Sequence, residues 1–186
     1  MDILSDNALM LKVKSGDLDK MALLFKRYHR PLYGFLFHMT GKQQESEDMV
    51  QEVFYRMLRS RHTFTGEGEF KTWMYHLARN IVKDYYRKEK RTGNSYEANA
   101  FSEKLAGGAL ADEVVQKKQD IEQLQQAINN LSDESREVLV LSRYQELKYA
   151  EIANILGISE GAVKVRIHRA ITQLKVLYRP QQTKIA

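Results

Sequence analysis

The sequence contains no cysteine. That removes a disulfide framework, thiolate-held zinc or iron–sulfur centres and any cysteine nucleophile, and it fits a reducing compartment, the cytoplasm. Proline is almost as scarce: only Pro31 and Pro180 occur, so long helices are permitted across the span between them. No stretch approaches the roughly 18 uninterrupted apolar residues of a membrane-spanning helix. The first residues, MDILSDNALMLKVKSGD, carry acids where a secretory signal needs a basic start and an apolar run, so neither secretion nor membrane insertion is expected. The strict apolar–polar alternation of half-buried strands is missing too, which points to an all-α fold.

What is present is a globular balance of 43% hydrophobic and 28% charged residues over 186 positions, enough for one ordinary domain or two small ones. The net charge of +5 is unevenly spread. Residues 61–91 hold eight Lys/Arg against four Asp/Glu, and residues 159–179 hold five against one, while residues 92–158 between them are acidic on balance. Two separated basic blocks fit two polyanion-facing surfaces on two units, or simply two solvated helix faces; charge alone does not separate these readings.

Apolar residues recur at helical spacing in Leu23, Leu24, Leu32, Phe35 and Leu36, and again in Met49, Val50, Val53, Phe54, Met57 and Leu58. A third stripe, Phe70, Trp73, Met74, Leu77, Ala78, Ile81 and Tyr85, leaves Lys71, Arg79, Lys83 and Arg87 largely off it, which describes a basic amphipathic helix. Between the second and third helices, RSRHTFTGEGEF reads as a loop. Residues 92–118, with Gly93, Gly107 and Gly108 and few large apolar groups, read as a flexible linker. Helical periodicity resumes at Ile121, Leu124, Ala127, Ile128 and Leu131, and Ser132 is placed to cap a further helix.

The most specific local pattern starts at Leu147: LKYAEIANILGISEGAVKVRIHRAITQLKVLY. Tyr149, Ile152, Ala153, Ile155 and Leu156 form a short amphipathic helix that Gly157 can end in the left-handed conformation. Ser159 caps the next helix, whose inward stripe is Val163, Ile167, Ala170, Ile171 and Leu174. This is a helix-turn-helix, a unit that places its second helix in the DNA major groove. Outside the stripe lie Lys164, Val165, Arg166, His168 and Arg169, cations and one methyl-bearing side chain that can meet base edges and phosphates. By contrast, His29, His38, His62, His76 and His168 are scattered, and HExxH, phosphate-loop and GxSxG patterns are absent. Neither an enzyme nor a metal, cofactor or small-molecule substrate is expected.

Three stretches in order, SEDMVQEVFYRML (46–58), FKTWMYHLARNIVKDYYRKEKR (70–91) and LSDESREVLVLSRYQELKYAEIANILGISEGAVKVRIHRA (131–170), resemble the bacterial RNA polymerase sigma factors of the extracytoplasmic-function (ECF) group. The resemblance implies two small helical domains: residues 1–91 as region 2, a linker at 92–118, and residues 119–186 as region 4. It implies partners as well: core RNA polymerase, promoter DNA, and an inhibitory anti-sigma factor, soluble or membrane-bound, that clamps both domains. It assigns Asp48, Gln51, Glu52 and Phe54 to polymerase docking, with Phe54 as an exposed apolar group among polar ones. It assigns His62, Thr63, Phe64, Lys71, Arg79, Asn80, Lys83 and Arg87 to the minus-ten element, where a base is flipped into a pocket formed by the loop before the third helix. Phe64 would enclose that base, and the cations would follow the phosphates. Trp73 and Tyr85 are expected in the core, and Tyr86 against nucleic acid. Ser159, Lys164, Val165, Arg166, His168 and Arg169 would meet the minus-thirty-five element. Ala162 and Val165 replace the Thr and Ser often found in the family, so the promoter code is this chain's own. The rival reading is a stand-alone helix-turn-helix regulator that binds a palindromic duplex without polymerase.

Overall fold

Ser5 opens the first helix: its Oγ accepts from the Ala8 N–H at 3.2 Å, with Asp6 against the positive helix end. Helix α1 (Asp6–Lys14) is followed by α2 (Lys20–Thr40), α3 (Gln43–Arg59), a 3-10 turn (Arg61–Thr63) and α4 (Phe70–Thr92). A second group comprises α5 (Ala111–Asn129), α6 (Asp133–Arg143), α7 (Tyr149–Leu156) and α8 (Glu160–Leu177). The computed structural model describes residues 4–92 and 111–178, with side chains from residue 119 onward in the second stretch. Among these residues there is no strand. Most of the expected linker, residues 93–110, lies outside the described residues, but its last part is helical, because α5 begins at Ala111.

Pro31 sits inside α2 without ending it, at the cost of one backbone donor. What ends α2 is Gly41, left-handed at φ 70°, where a Cβ would come within 2.9 Å of the Asn129 side chain. The left-handed backbone favours glycine at that corner, while the Asn129 side chain could shift to admit a Cβ. The four N-terminal helices bury Leu9, Met10, Leu24, Leu32, Phe35, Leu36, Val53, Met57, Phe70, Met74 and Ala78. In the second group Ser132 and Ser159 cap α6 and α8, their Oγ atoms accepting from Ser135 and Ala162 N–H. Gly157 at φ 68° terminates α7. These are the devices read from the sequence.

The buried apolar residues of both groups form one contiguous cluster. The groups meet where α2 packs on α5 and α6, and α4 on α7. Arg136, on α6 and only 5% exposed, spans that junction. Its guanidinium donates to Ile128, Asn129 and Leu131 carbonyls at the end of α5, and across the junction to the Met39 carbonyl at 2.8 Å and the Tyr86 hydroxyl at 3.0 Å. A cation at two helix C-termini is favourable, and its donors satisfy carbonyls that the ended helices leave open.

Candidate nucleic-acid interface

Burial of Val163, Ile167 and Ala170 on one side of α8 fixes what the other side presents. Lys164, Val165, His168 and Arg169 are exposed, with Val165 at 49%. Arg166 is half-buried, 3.6 Å from Glu134 on α6. Ser159 is exposed at the helix mouth, but its hydroxyl serves the cap. The expected minus-thirty-five residues therefore share one end and one face of a single helix, with Arg166 tethered by an acid. A mixed row of cations and one branched apolar side chain is suited to a major groove that offers guanine acceptors, thymine methyls and phosphates.

The loop before α4 is held from outside its own sequence neighbourhood. Asn7 on α1 donates to the Gly68 carbonyl at 2.9 Å and the Gly66 carbonyl at 3.3 Å, while its Oδ1 accepts from the Phe70 N–H at 2.8 Å. Lys14 donates to the Phe64 carbonyl at 2.6 Å. Gly66 is left-handed, at φ 82°. His62 and Thr63 stand exposed on this loop. Phe64 does not: it is 3% exposed, with its ring 5.3 Å from Trp73 and 6.3 Å from Phe70. It braces the loop from beneath, so the expectation of an open stacking ring at Phe64 is corrected, and Trp73 takes the structural role expected of it. Beside His62 a groove of about 420 Å³ is lined by Glu52, Tyr55, Arg56, Arg59, Ser60 and Leu77. The exposed aromatic side chain on this groove is Tyr55, at 58%.

Along α4, Asn80, Lys83 and Arg87 are exposed, Arg87 pairing with Asp84 at 2.7 Å. Two other expected minus-ten cations face elsewhere. Lys71 lines a cavity of about 270 Å³ at the junction with Tyr28, Tyr75, Tyr144 and Gln145. Arg79 is clamped by Glu137 of α6, Nε to Oε1 at 2.5 Å and Nη2 to Oε2 at 3.0 Å, and its Nη1 donates to the Ile155 carbonyl at 2.6 Å. Tyr86 likewise serves the junction, its hydroxyl accepting from Arg136 of α6 at 3.0 Å while donating to the Met39 carbonyl of α2. Nearby, burial together with the charges of Arg79 and Lys83 holds the His76 imidazole below its usual pKa.

On α3, Asp48 and Gln51 are exposed and Glu52 pairs with Arg56 at 2.7 Å. Phe54 is 6% exposed and packs on Phe25, ring centroids 4.8 Å apart, so it is a core residue. The exposed apolar group here is Phe25, at 44%. It borders a groove of about 720 Å³ that also includes His29, Tyr33, Glu47, Val50 and Gln51.

Comparison with known proteins matches residues 24–92 to the family model for Sigma-70 region 2, and residues 121–174 to that for Sigma-70 region 4. The chain is 33% identical over 171 residues to the ECF RNA polymerase sigma factor SigW of Bacillus subtilis (strain 168), covering 88% of this chain and 91% of that one. The chain belongs to the ECF sigma factors. A second relative of this sigma factor, SigX of the same organism, is 31% identical, with 82% and 80% covered. Among solved structures, CnrH in complex with the cytosolic domain of CnrY shares the fold at TM-score 0.71 and 23% identity, covering 92% of this chain and 96% of that one. The sigma factor RpoE of Bartonella quintana, solved with the anti-sigma factor NepR, does so at 0.69 and 24%, with 87% and 96% covered. The sigma factor directs promoter-specific transcription initiation with RNA polymerase, and the stand-alone regulator reading is set aside. Among the described residues no helix is long and apolar enough to cross a membrane.

Proposed function

We propose that this sigma factor engages promoters through two surfaces, each carried by its own unit. Residues 119–186 read the minus-thirty-five element with Lys164, Val165, Arg166, His168 and Arg169 of α8. Residues 1–91 read the minus-ten element with Asn80, Lys83 and Arg87 of α4 and with the loop at His62 and Thr63. The groove beside His62 accepts an unstacked base against Tyr55. Asp48, Gln51 and Phe25 dock the polymerase, as a polar rim around an exposed aromatic group suits a protein interface. An anti-sigma factor that covers these surfaces is the expected inhibitor, by similarity to the neighbour solved with NepR.

The observation that carries this reading is the exposed quartet Lys164, Val165, His168 and Arg169, opposite a fully buried stripe on a capped helix. The test is transcription from a library of promoter fragments by core RNA polymerase, with and without the protein. Transcripts that start only in its presence, from fragments sharing two spaced elements, are expected. Arg169→Ala lowers initiation about tenfold, since a base or phosphate contact of this kind contributes roughly 1–3 kcal/mol. Unchanged initiation from every responsive promoter would remove α8 from promoter reading.

A further inference from the structure

Arg79 lies on the helix that carries Asn80, Lys83 and Arg87, yet its guanidinium is turned away from DNA and filled. Two parallel bonds to Glu137 occupy the edge that would otherwise fork onto a phosphate, and the third goes to the open C-terminal end of α7. The pair is shielded, with the side chains only 14% and 16% exposed. One guanidinium edge cannot hold a carboxylate and a phosphate together. The surrounding junction is partly polar: Tyr75 donates to the Gln145 side chain at 2.7 Å, and His38 meets Gln125 at 2.7 Å. Bonds of this kind can be exchanged for water or another partner, whereas a wholly apolar seam has no such exchange.

We propose that the free sigma factor is self-closed, with Glu137 as a latch on Arg79, and that Arg79 exchanges Glu137 for promoter phosphate when the two units separate. The exchange rests on the minus-ten reading of α4; the latch does not. Arg136 differs from Arg79 in kind. It is almost wholly buried and mainly serves the carbonyls of its own unit, so it fixes the geometry of closure, while the Arg79–Glu137 pair is the releasable part. Removing one partner of a shielded pair leaves the other charge uncompensated. Loss of Glu137 therefore raises the open-to-closed ratio on the order of 10²-fold.

The chain has no cysteine, so Leu18→Cys with Gln173→Cys gives two unique spin-label sites on exposed positions of the two groups. Pulsed dipolar spectroscopy on the full chain should show one narrow distance distribution. Glu137→Arg, which sets two guanidinium groups face to face, should move most molecules to longer and broader distances. Glu137→Gln should fall between, and adding Arg79→Glu to Glu137→Arg should restore the narrow distribution. A broad distribution in the parent chain, or an unchanged one in a Glu137→Arg variant whose helical circular dichroism is intact, overturns the latch. The swapped pair then separates the latch from the DNA role. It closes normally yet should initiate poorly with core polymerase, because Arg79 is gone. Full initiation by the swapped pair would overturn the exchange while leaving the latch in place.

Discussion

His38 and Arg136 show how single polar side chains are tolerated at a buried junction. Arg136 meets five oxygens and has its nearest carboxylate, Asp133, at 3.9 Å on the exposed side, so carbonyl dipoles at helix ends rather than an ion pair hold its charge. His38 is instead a poor cation, because burial disfavours its charged form. Its Nδ1 meets the Gln125 side-chain oxygen, and its ring lies 3.8 Å from that of Tyr144 and edge-on to Phe37. Burial holds its pKa below the ordinary 6.5, partly offset by the Gln125 bond. Protonation is thus harder in the packed state than in an opened or unfolded one. The contribution of His38 to stability is complete above pH 6.5 and shrinks as the pH falls from there toward the depressed value. Melting followed at about pH 7.5 and about pH 5.5 should show a loss on acidification that is smaller in His38→Gln. An equal loss in both proteins would place the acid sensitivity elsewhere.

At the scale of elements, α1 acts on a loop fifty or more residues away. Three hydrogen bonds from Asn7 and one from Lys14 fix the backbone between Phe64 and Phe70, which sets where His62 and Thr63 stand. Asn7→Ala removes bonds that contribute roughly 1 kcal/mol each. It should lower minus-ten-dependent promoter opening about tenfold while leaving protection of the minus-thirty-five element unchanged, as read by permanganate reactivity and footprinting. Equal loss of both signals would mean that Asn7 supports the whole fold and not the loop. None of this was visible in the sequence, because Asn7 carries no periodic signal and its partners are backbone atoms. The helix-turn-helix was legible for the opposite reason: Gly157, Ser159 and the stripe of α8 act within a few residues of one another. Phe54 and Phe64 were misread because an aromatic residue beside a loop or a polar helix face can turn either way, and only tertiary packing decides. Arg79 was legible as an off-stripe cation, but Glu137, 58 positions away on another unit, was not legible as its partner.

For the whole molecule, the closed arrangement treats the working surfaces unequally. The outward face of α8 and the Asp48–Gln51 edge of α3 are open, whereas Arg79 and Lys71 of α4 are turned into the junction. Polymerase docking and the latch should accordingly be separable. Asp48→Lys together with Gln51→Lys should lower co-elution with core polymerase about tenfold or more, by reversing charge and removing a polar rim, while the spin-label distances stay as in the parent chain. Normal complex formation would take this edge out of the polymerase contact. The junction itself has a further consequence, because both units belong to one chain. Closure is unimolecular and indifferent to protein concentration, whereas every ligand of the open form binds bimolecularly. Each such ligand shows its intrinsic dissociation constant divided by the open fraction. A change at Glu137 should therefore shift, by one common factor, the titration midpoints of every ligand that needs the junction parted, while polymerase docking at the already open Asp48–Gln51 edge keeps its midpoint, a pattern that damage to an individual binding face cannot reproduce.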